Sequence, residues 1–364
     1  MGPQTRQNFL CLDFLSLRPL LPPTLRAEPS LSSWVMSFFA VLFALLLEQL
    51  KPLPRGNKVH DALTAWMRWT ARNFDAGRNH HARVVWCITA LVPALAVWGV
   101  FAAIAHFSVL LALAWNVAVL YLTLGFRQFS HYFTDIREAV ERRDEFEARR
   151  LLTEWRHLDA SELPRTEFLR HVIEHSLLAA HRHVFGVFFW FVVMSALGMG
   201  PAGAVLYRMA EFGSRYWAYK NFTVGEPTNE RLMTLSQRLF STLDHVPARM
   251  TAFGFAVVGN FEEAVSCWRR DAPLWKHPNE GIILAAAAGA VGVRLGGEAA
   301  PGVTPDRSKT FDLGAASQDT TALGSTPGVT AVPDHLRSVV GLVWRSMVLW
   351  MLMLALLSLA NLTG

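Results

Sequence analysis

Blocks of apolar residues long enough to cross a bilayer, set between loops rich in arginine, constrain this chain more than any other feature. A membrane-crossing helix needs about 20 mostly apolar residues. With no water in the hydrocarbon core, backbone N–H and C=O groups must pair internally, and that requirement selects helices. Such blocks fall at about 34–50, 84–105, 107–125, 185–207, 246–265 and 339–362. They predict an all-α, polytopic integral membrane protein with about five to six spans and amphipathic cytoplasmic helices. Composition agrees: 52% of the 364 residues are hydrophobic and 17% charged, where soluble domains carry about 25% charged residues.

The second and third blocks are separated only by His106 and its neighbours, which makes them a tight helical hairpin. The hairpin returns the chain to its starting side, so loops 51–83 and 126–184 share one face. Both are rich in Lys and Arg, which marks that face as cytoplasmic. The net charge of +5 follows from this bias. No basic groove with stacking aromatics accompanies it, so nucleic acid is not an expected partner. Val59–Phe74 alternates tryptophans with arginines, as an interfacial helix does. Asp135–Trp155 carries acid–base pairs at helical spacing, and Pro164 ends that pattern. Residues 1–35, with five prolines and no period, are expected to be an N-terminal extension or disordered tail. Membrane domain 36–364 follows, with a flexible Gly, Pro and Ser-rich loop at 298–338. Cys11, Cys87 and Cys267 share no metal or disulfide spacing and read as free thiols.

No nucleotide-loop, zinc-protease or nucleophile-elbow motif is present. His171, Glu174 and His175 stand at i, i+3 and i+4 and so share a helix face. They suit either a metal or a polar face at the membrane surface, and no fourth ligand stands at a matching spacing. A second group is Tyr207, Arg208, Glu211, Arg215, Tyr219, Lys220 and Asn221. A third is the run Asp244 to Arg249, where Asp244 is equally an N-cap. The fourth is the polar turn Lys276-His277-Pro278-Asn279-Glu280-Gly281, which opens a run of small apolar residues ending at Arg294 and Gly296-Gly297. Residues 282–295 are too few to span and read as a re-entrant or buried helix. Arg and Lys among these groups can hold phosphates, and Asp and Glu can face magnesium.

The order of these pieces resembles the CobD/CbiB membrane family of cobalamin biosynthesis, which includes the AmpE branch. The resemblance rests on Ala139-Val140-Glu141-Arg142, Gly200-Pro201-Ala202-Gly203, Tyr219-Lys220-Asn221, Pro247-Ala248-Arg249, Arg269-Arg270-Asp271-Ala272 and His277-Pro278-Asn279-Glu280-Gly281 through Gly297. It implies a multi-pass protein of the bacterial inner (plasma) membrane. The implied activity is adenosylcobinamide-phosphate synthase-like, an ATP-dependent amide ligase joining an amino-alcohol phosphate to adenosylcobyric acid. Under it, Glu174, Asp244 and His277 are the expected catalytic residues, and Lys220, Asn221, Arg249, Asn279 and Arg294 the substrate-binding ones. ATP and Mg2+ are the expected cofactors, with no dedicated metal site. The expected partners are the lipid bilayer, corrinoid and nucleotide ligands and other cobalamin-pathway enzymes. Leu47 to Pro54 and His175 to Leu178 depart from the family's polar pattern. An alternative therefore stands beside the synthase: a non-catalytic, AmpE-like regulatory or sensory inner-membrane protein of the same fold. A transporter is less well supported, because broken helices suit one but no internal repeat accompanies them.

Overall fold

Each apolar block becomes helix, and the breaks between helices fall at glycine, proline and capping residues. The structure, a computed structural model, describes residues 31–50, 58–74, 79–124, 126–156, 163–222, 230–297 and 325–363. Residues 1–30 of the expected tail at 1–35, and residues 298–324 of the expected flexible loop at 298–338, lie outside the described residues, while 31–35 open α1. The helices are α1 (Leu31–Leu50), α2 (Lys58–Phe74), α3 (Asn79–Phe107), α4 (Val109–Thr123), α5 (Phe126–Glu141), α6 (Glu145–Arg156) and α7 (Arg165–Ala180). After a π turn (His181–Phe185) come α8 (Gly186–Ala196), α9 (Ala202–Phe222), α10 (Glu230–Leu243), α11 (His245–Val258), α12 (Phe261–Asp271), α13 (Pro278–Val291) and α14 (Pro333–Thr363). The extended pairing among the described residues is two isolated bridges, Val293 with Val329 and Gly296 with Ser325.

Three helices are long and apolar enough to cross a membrane: His81–Phe107, Arg165–Ala196 and Pro333–Asn361. The apolar stretches Trp34–Leu50 and Val109–Thr123 are shorter. Leu91, Leu95, Leu110, Val348, Leu352 and Leu356 face outward, as a lipid-facing surface requires. The expected span 185–207 is built differently. Its helix begins twenty residues earlier, at Arg165, and stops at Ala196. Gly198 and Gly200 then take φ of +78° and +55°, a turn that side chains with a Cβ resist. No breaker lies between α7 and α8, and the polar residues His171, Glu174, His175 and Arg182 are buried against protein, so the helix runs through them. The expected span 246–265 is two helices. Gly259 closes α11, and Asn260 caps α12 by accepting from the Glu263 N–H at 3.3 Å. At 14 and 11 residues, neither reaches across. Asp135–Trp155 also divides, at Arg143 (φ +61°), with Asp144 capping α6. The last helix starts at Pro333 rather than 339, because proline is preorganised for a first helical turn.

The short apolar helix α13 sits deep in the bundle. Ten of the fourteen residues of α13 are buried, and it packs on α7, α11, α12 and α14. Its small residues permit this. A Cβ added at Gly289 would lie 2.4 Å from the Glu263 carbonyl oxygen and 2.7 Å from the Ala264 Cα. The start of α13 meets residues 182 and 244, while the segment after its end meets residues 170 and 174. The helix is therefore antiparallel to α7, and the two are joined at both ends of a stretch about 18 Å long.

Candidate functional site

Asp244, at the junction of α10 and α11, makes no cap bond to its own helix. Its carboxylate instead collects donors from three other elements. His181 Nε2 lies 2.8 Å from Oδ1, the Tyr207 hydroxyl donates to Oδ1 at 2.8 Å, and Asn279 Nδ2 donates to Oδ2 at 3.3 Å. The other His181 nitrogen, Nδ1, stands 2.9 Å from the Thr251 hydroxyl. Asn279 is fixed by a second bond to the Ser241 carbonyl at 2.8 Å. His181, Tyr207, Asp244, Thr251 and Asn279 are all buried. A buried carboxylate is tolerable only when satisfied in this way. His181 reaches Asp244 from the π turn, a local widening of a helix that recurs at functional sites.

Beside His181, Arg182 pairs with Glu280 of α13. Glu211, wholly buried in α9, pairs with Arg208 at 3.0 Å and with Arg215. Two turns away along α7 lies a separate cluster. Glu174 accepts from the Gly296 N–H at 2.7 Å and stands 3.7 Å from His171 Nδ1. Arg170 donates to the Gly296 carbonyl and pairs with Glu167. Both halves of the Gly296 peptide environment are thus held by α7, and Gly297 follows at φ +109°.

The expected catalytic and binding residues divide accordingly. Asp244 and Asn279 touch. Glu174 serves the second cluster, about 10 Å along the helix from His181. Arg249 is half-buried one turn from Asp244 and donates to the His245 carbonyl at 2.8 Å. Burial holds its guanidinium below the ordinary range, and the Asp244 charge opposes this. Burial, then the Arg249 charge, also lowers the His245 imidazole. His277 is exposed as the N-cap of α13, and Arg294 is exposed past its end. Lys220 and Asn221 fall in the last turns of α9, with side chains outside the described residues. Sequence spacing alone gives no role to His181, Arg182, Tyr207, Thr251 or Glu280. The available signal was a polar residue seven positions beyond Glu174, hence on the same helix face.

Among the described residues no three His, Cys, Asp or Glu side chains are disposed to hold a metal. Both Asp244 oxygens already accept from protein donors, so a Mg2+ on this carboxylate would displace them. The residues do not fit a protein-held Mg2+ there.

Gly186, directly after the π turn, leaves room for Tyr207. An added Cβ would fall 2.2 Å from the ring Cζ and 2.3 Å from the hydroxyl oxygen. Gly186→Ala is therefore expected to push the hydroxyl off Asp244 and lower stability by about 1–3 kcal/mol. The check is a melting curve in detergent against Tyr207→Phe, which removes only the hydroxyl. A Gly186→Ala midpoint equal to wild type would contradict the packing.

A family model described as CobD/Cbib protein matches residues 37–321. A protein of Stutzerimonas stutzeri (strain A1501) named "Cobalamin biosynthesis protein CobD" is 32% identical over 326 residues, covering 87% of this chain and 96% of that one. A protein of the same name from Chromobacterium violaceum is 36% identical over 186 residues, 50% of this chain and 55% of its own. One from Leptospira interrogans is 24% identical over 267 residues, covering 71% and 80%. No solved structure matches.

Proposed function

The chain belongs to the CobD/CbiB protein family, and on that premise we propose that it acts in cobalamin biosynthesis as a multi-pass protein of the bacterial inner membrane, joining an amino-alcohol phosphate to adenosylcobyric acid with ATP. The observation that carries the reading is the buried Asp244–His181 pair beside the Arg182–Glu280 pair.

Amide formation asks two things of the protein. The carboxyl oxygen must become a leaving group, which a phosphoryl group from ATP provides, and the amine must lose a proton as it attacks. Fixed cations stabilise the charge that develops on the carboxyl carbon's oxygens. A histidine held by a carboxylate is oriented to accept a proton. In this reading Asp244 fixes His181, and Tyr207 and Asn279 fix Asp244. Arg182 and Arg249 supply positive charge. Lys220 and Arg294 are assigned to phosphates, and Asn221 and His277 to substrate orientation. Glu174 is a positioning residue that holds the chain at Gly296. Mg2+ enters with the nucleotide, carried by phosphate oxygens rather than by a cage of protein carboxylates. Corrinoid and nucleotide are the ligands, and neighbouring pathway enzymes are the proposed protein partners.

The test is growth. The full chain, expressed in a bacterium lacking its own synthase and supplied with cobyric acid, is expected to restore cobalamin-dependent growth. Asn279→Ala is expected to abolish it, and Arg249→Ala to slow it at least tenfold, an effect of about 1.4 kcal/mol or more. Absence of growth, with the protein confirmed in the membrane fraction, rejects the synthase reading. Full growth of both variants removes Asn279 and Arg249 from the site.

A further inference from the structure

Arg182 of the π turn and Arg208 and Arg215 of α9 pair with two carboxylates between them. Arg182 pairs with Glu280, while Arg208 and Arg215 share Glu211. Arg215 feels the charges of both Arg182 and Arg208, and His183 feels all three. Arg215 Nε and His183 Nδ1 are buried without a hydrogen-bond partner among the described residues. Both residues are more than nine-tenths buried. Groups of this kind are uncommon in a finished interior. Asp244 adds negative charge nearby but already receives donors from His181, Tyr207 and Asn279.

The two carboxylates differ. Glu211 is fully enclosed, whereas the side chain of Glu280 retains 24% of its exposure at the rim, in the first turn of α13. Glu280 can leave Arg182 for water. The seat it vacates would face the Arg182 guanidinium, with Arg215 within electrostatic reach of Arg182 and Arg208 paired to the same Glu211, an environment for a dianion. Arg182 also lies within electrostatic reach of Asp244 and Tyr207. A strongly positive locus therefore adjoins a negative one whose hydrogen-bonded partner is a histidine. An amino-alcohol phosphate has the complementary polarity, a phosphate monoester and an ammonium group a few bonds apart.

We propose that Glu280 occupies, in the ligand-free protein, the seat of the substrate's phosphate monoester on Arg182, with Arg208, Arg215 and His183 behind it and the substrate's amine directed at Asp244 and His181. The proposal rests on the amide-synthase reading for the identity of its ligand. It adds the orientation: phosphate toward α9, amine toward α11. Glu280 is then a competitor for the site that substrate must displace, and its removal should favour binding.

The experiment is equilibrium dialysis of labelled phosphoethanolamine against the purified full chain in nanodiscs of phosphatidylcholine, with no ATP or corrinoid. Wild type is compared with Arg182→Gln, Arg215→Gln and Glu280→Gln, each checked for an unchanged melting midpoint. Arg182→Gln and Arg215→Gln are expected to weaken binding about tenfold or more, as for a lost charge-assisted hydrogen bond. Glu280→Gln is expected to tighten it several-fold. That variant is the decisive one, since a rim substitution does not require the fold to absorb a buried charge. Binding that Glu280→Gln leaves unchanged or weakens overturns the proposal, as does equal binding by Arg182→Gln. Adding phosphatidic acid separates the sources of a phosphate monoester: displacement of the probe at equal concentration reassigns the seat to a lipid headgroup and overturns the substrate assignment. The outcome is separable from the growth test. Growth with binding indifferent to these variants leaves the synthase and removes the seat. Binding that obeys them without growth leaves an amino-phosphate site and removes the synthase.

Discussion

Asp244→Leu is expected to abolish growth on cobyric acid and to destabilise the protein by about 3–5 kcal/mol, the loss that follows when one partner of a buried charged network is removed. Leucine fills much of the volume but accepts nothing. The Tyr207 hydroxyl and the Asn279 amide would lose an acceptor, and His181 would lose the group that fixes its tautomer. Asp244→Asn separates architecture from chemistry. The amide keeps the shape and one acceptor oxygen, so its stability loss should be nearer about 1–3 kcal/mol. The negative charge that orients His181 is gone, and growth should be lost just as completely. Thermal unfolding in detergent, followed by near-ultraviolet circular dichroism, measures the first quantity, and plating measures the second. A leucine variant as stable as wild type would mean that Asp244 is not the shared acceptor.

Gly289→Val is expected to prevent accumulation of folded protein altogether. At this position α13 lies against the backbone of α12, and the nearest atoms to an added Cβ are the Glu263 carbonyl oxygen at 2.4 Å and carbon at 2.6 Å and the Ala264 Cα. Backbone does not yield as a side-chain tip does, so two helices must part, and the face that carries Asn279 moves with them. Even Gly289→Ala should cost about 1–3 kcal/mol from overpacking. Gly99 supplies the opposite case. It lies mid-helix in α3 with nothing within 4 Å of an added Cβ, so Gly99→Ala should stabilise by about 0.5–1 kcal/mol through helix propensity. Size-exclusion profiles after graded heating rank the three. Equal midpoints for Gly289→Ala and Gly99→Ala would refute the close packing of α12 on α13.

The helical membrane class was legible because apolar blocks near 20 residues leave few other options. The unusual run from His277 to Gly297 was legible too, since glycine and alanine in such density permit close approach. Span boundaries were less so. Residues 165–184 carry histidines, arginines and glutamates, and hydropathy cannot tell a polar face turned to water from one turned to protein. The break at Gly259-Asn260 was written in plain capping chemistry but was outweighed by the apolar residues around it. The Asp244 centre could not be assembled from spacing. Its donors stand 63, 37 and 35 residues away, and only packing the π turn, α9 and α13 together brings them to one carboxylate. The resemblance to CobD/CbiB rests instead on contiguous runs such as Pro247-Ala248-Arg249 and His277-Pro278-Asn279-Glu280-Gly281, and the family match bears it out. Relatives named for cobalamin biosynthesis do not favour the non-catalytic, AmpE-like alternative.

The π turn makes this centre depend on chain length as well as on side chains. Its widened ring, closed by the Gly186 N–H on the His181 carbonyl, holds one residue more than an α-helix would over the same rise. Deleting one residue within 181–185 would restore a regular helix with its two ends near their present orientation, while side chains within the turn would shift by one position, about 100° around the axis. Glu174 and Gly186 could then keep their partners while the side chains of the turn change direction. A variant lacking Val184 would keep every polar side chain and is expected to present His181 and Arg182 differently to Asp244 and Glu280.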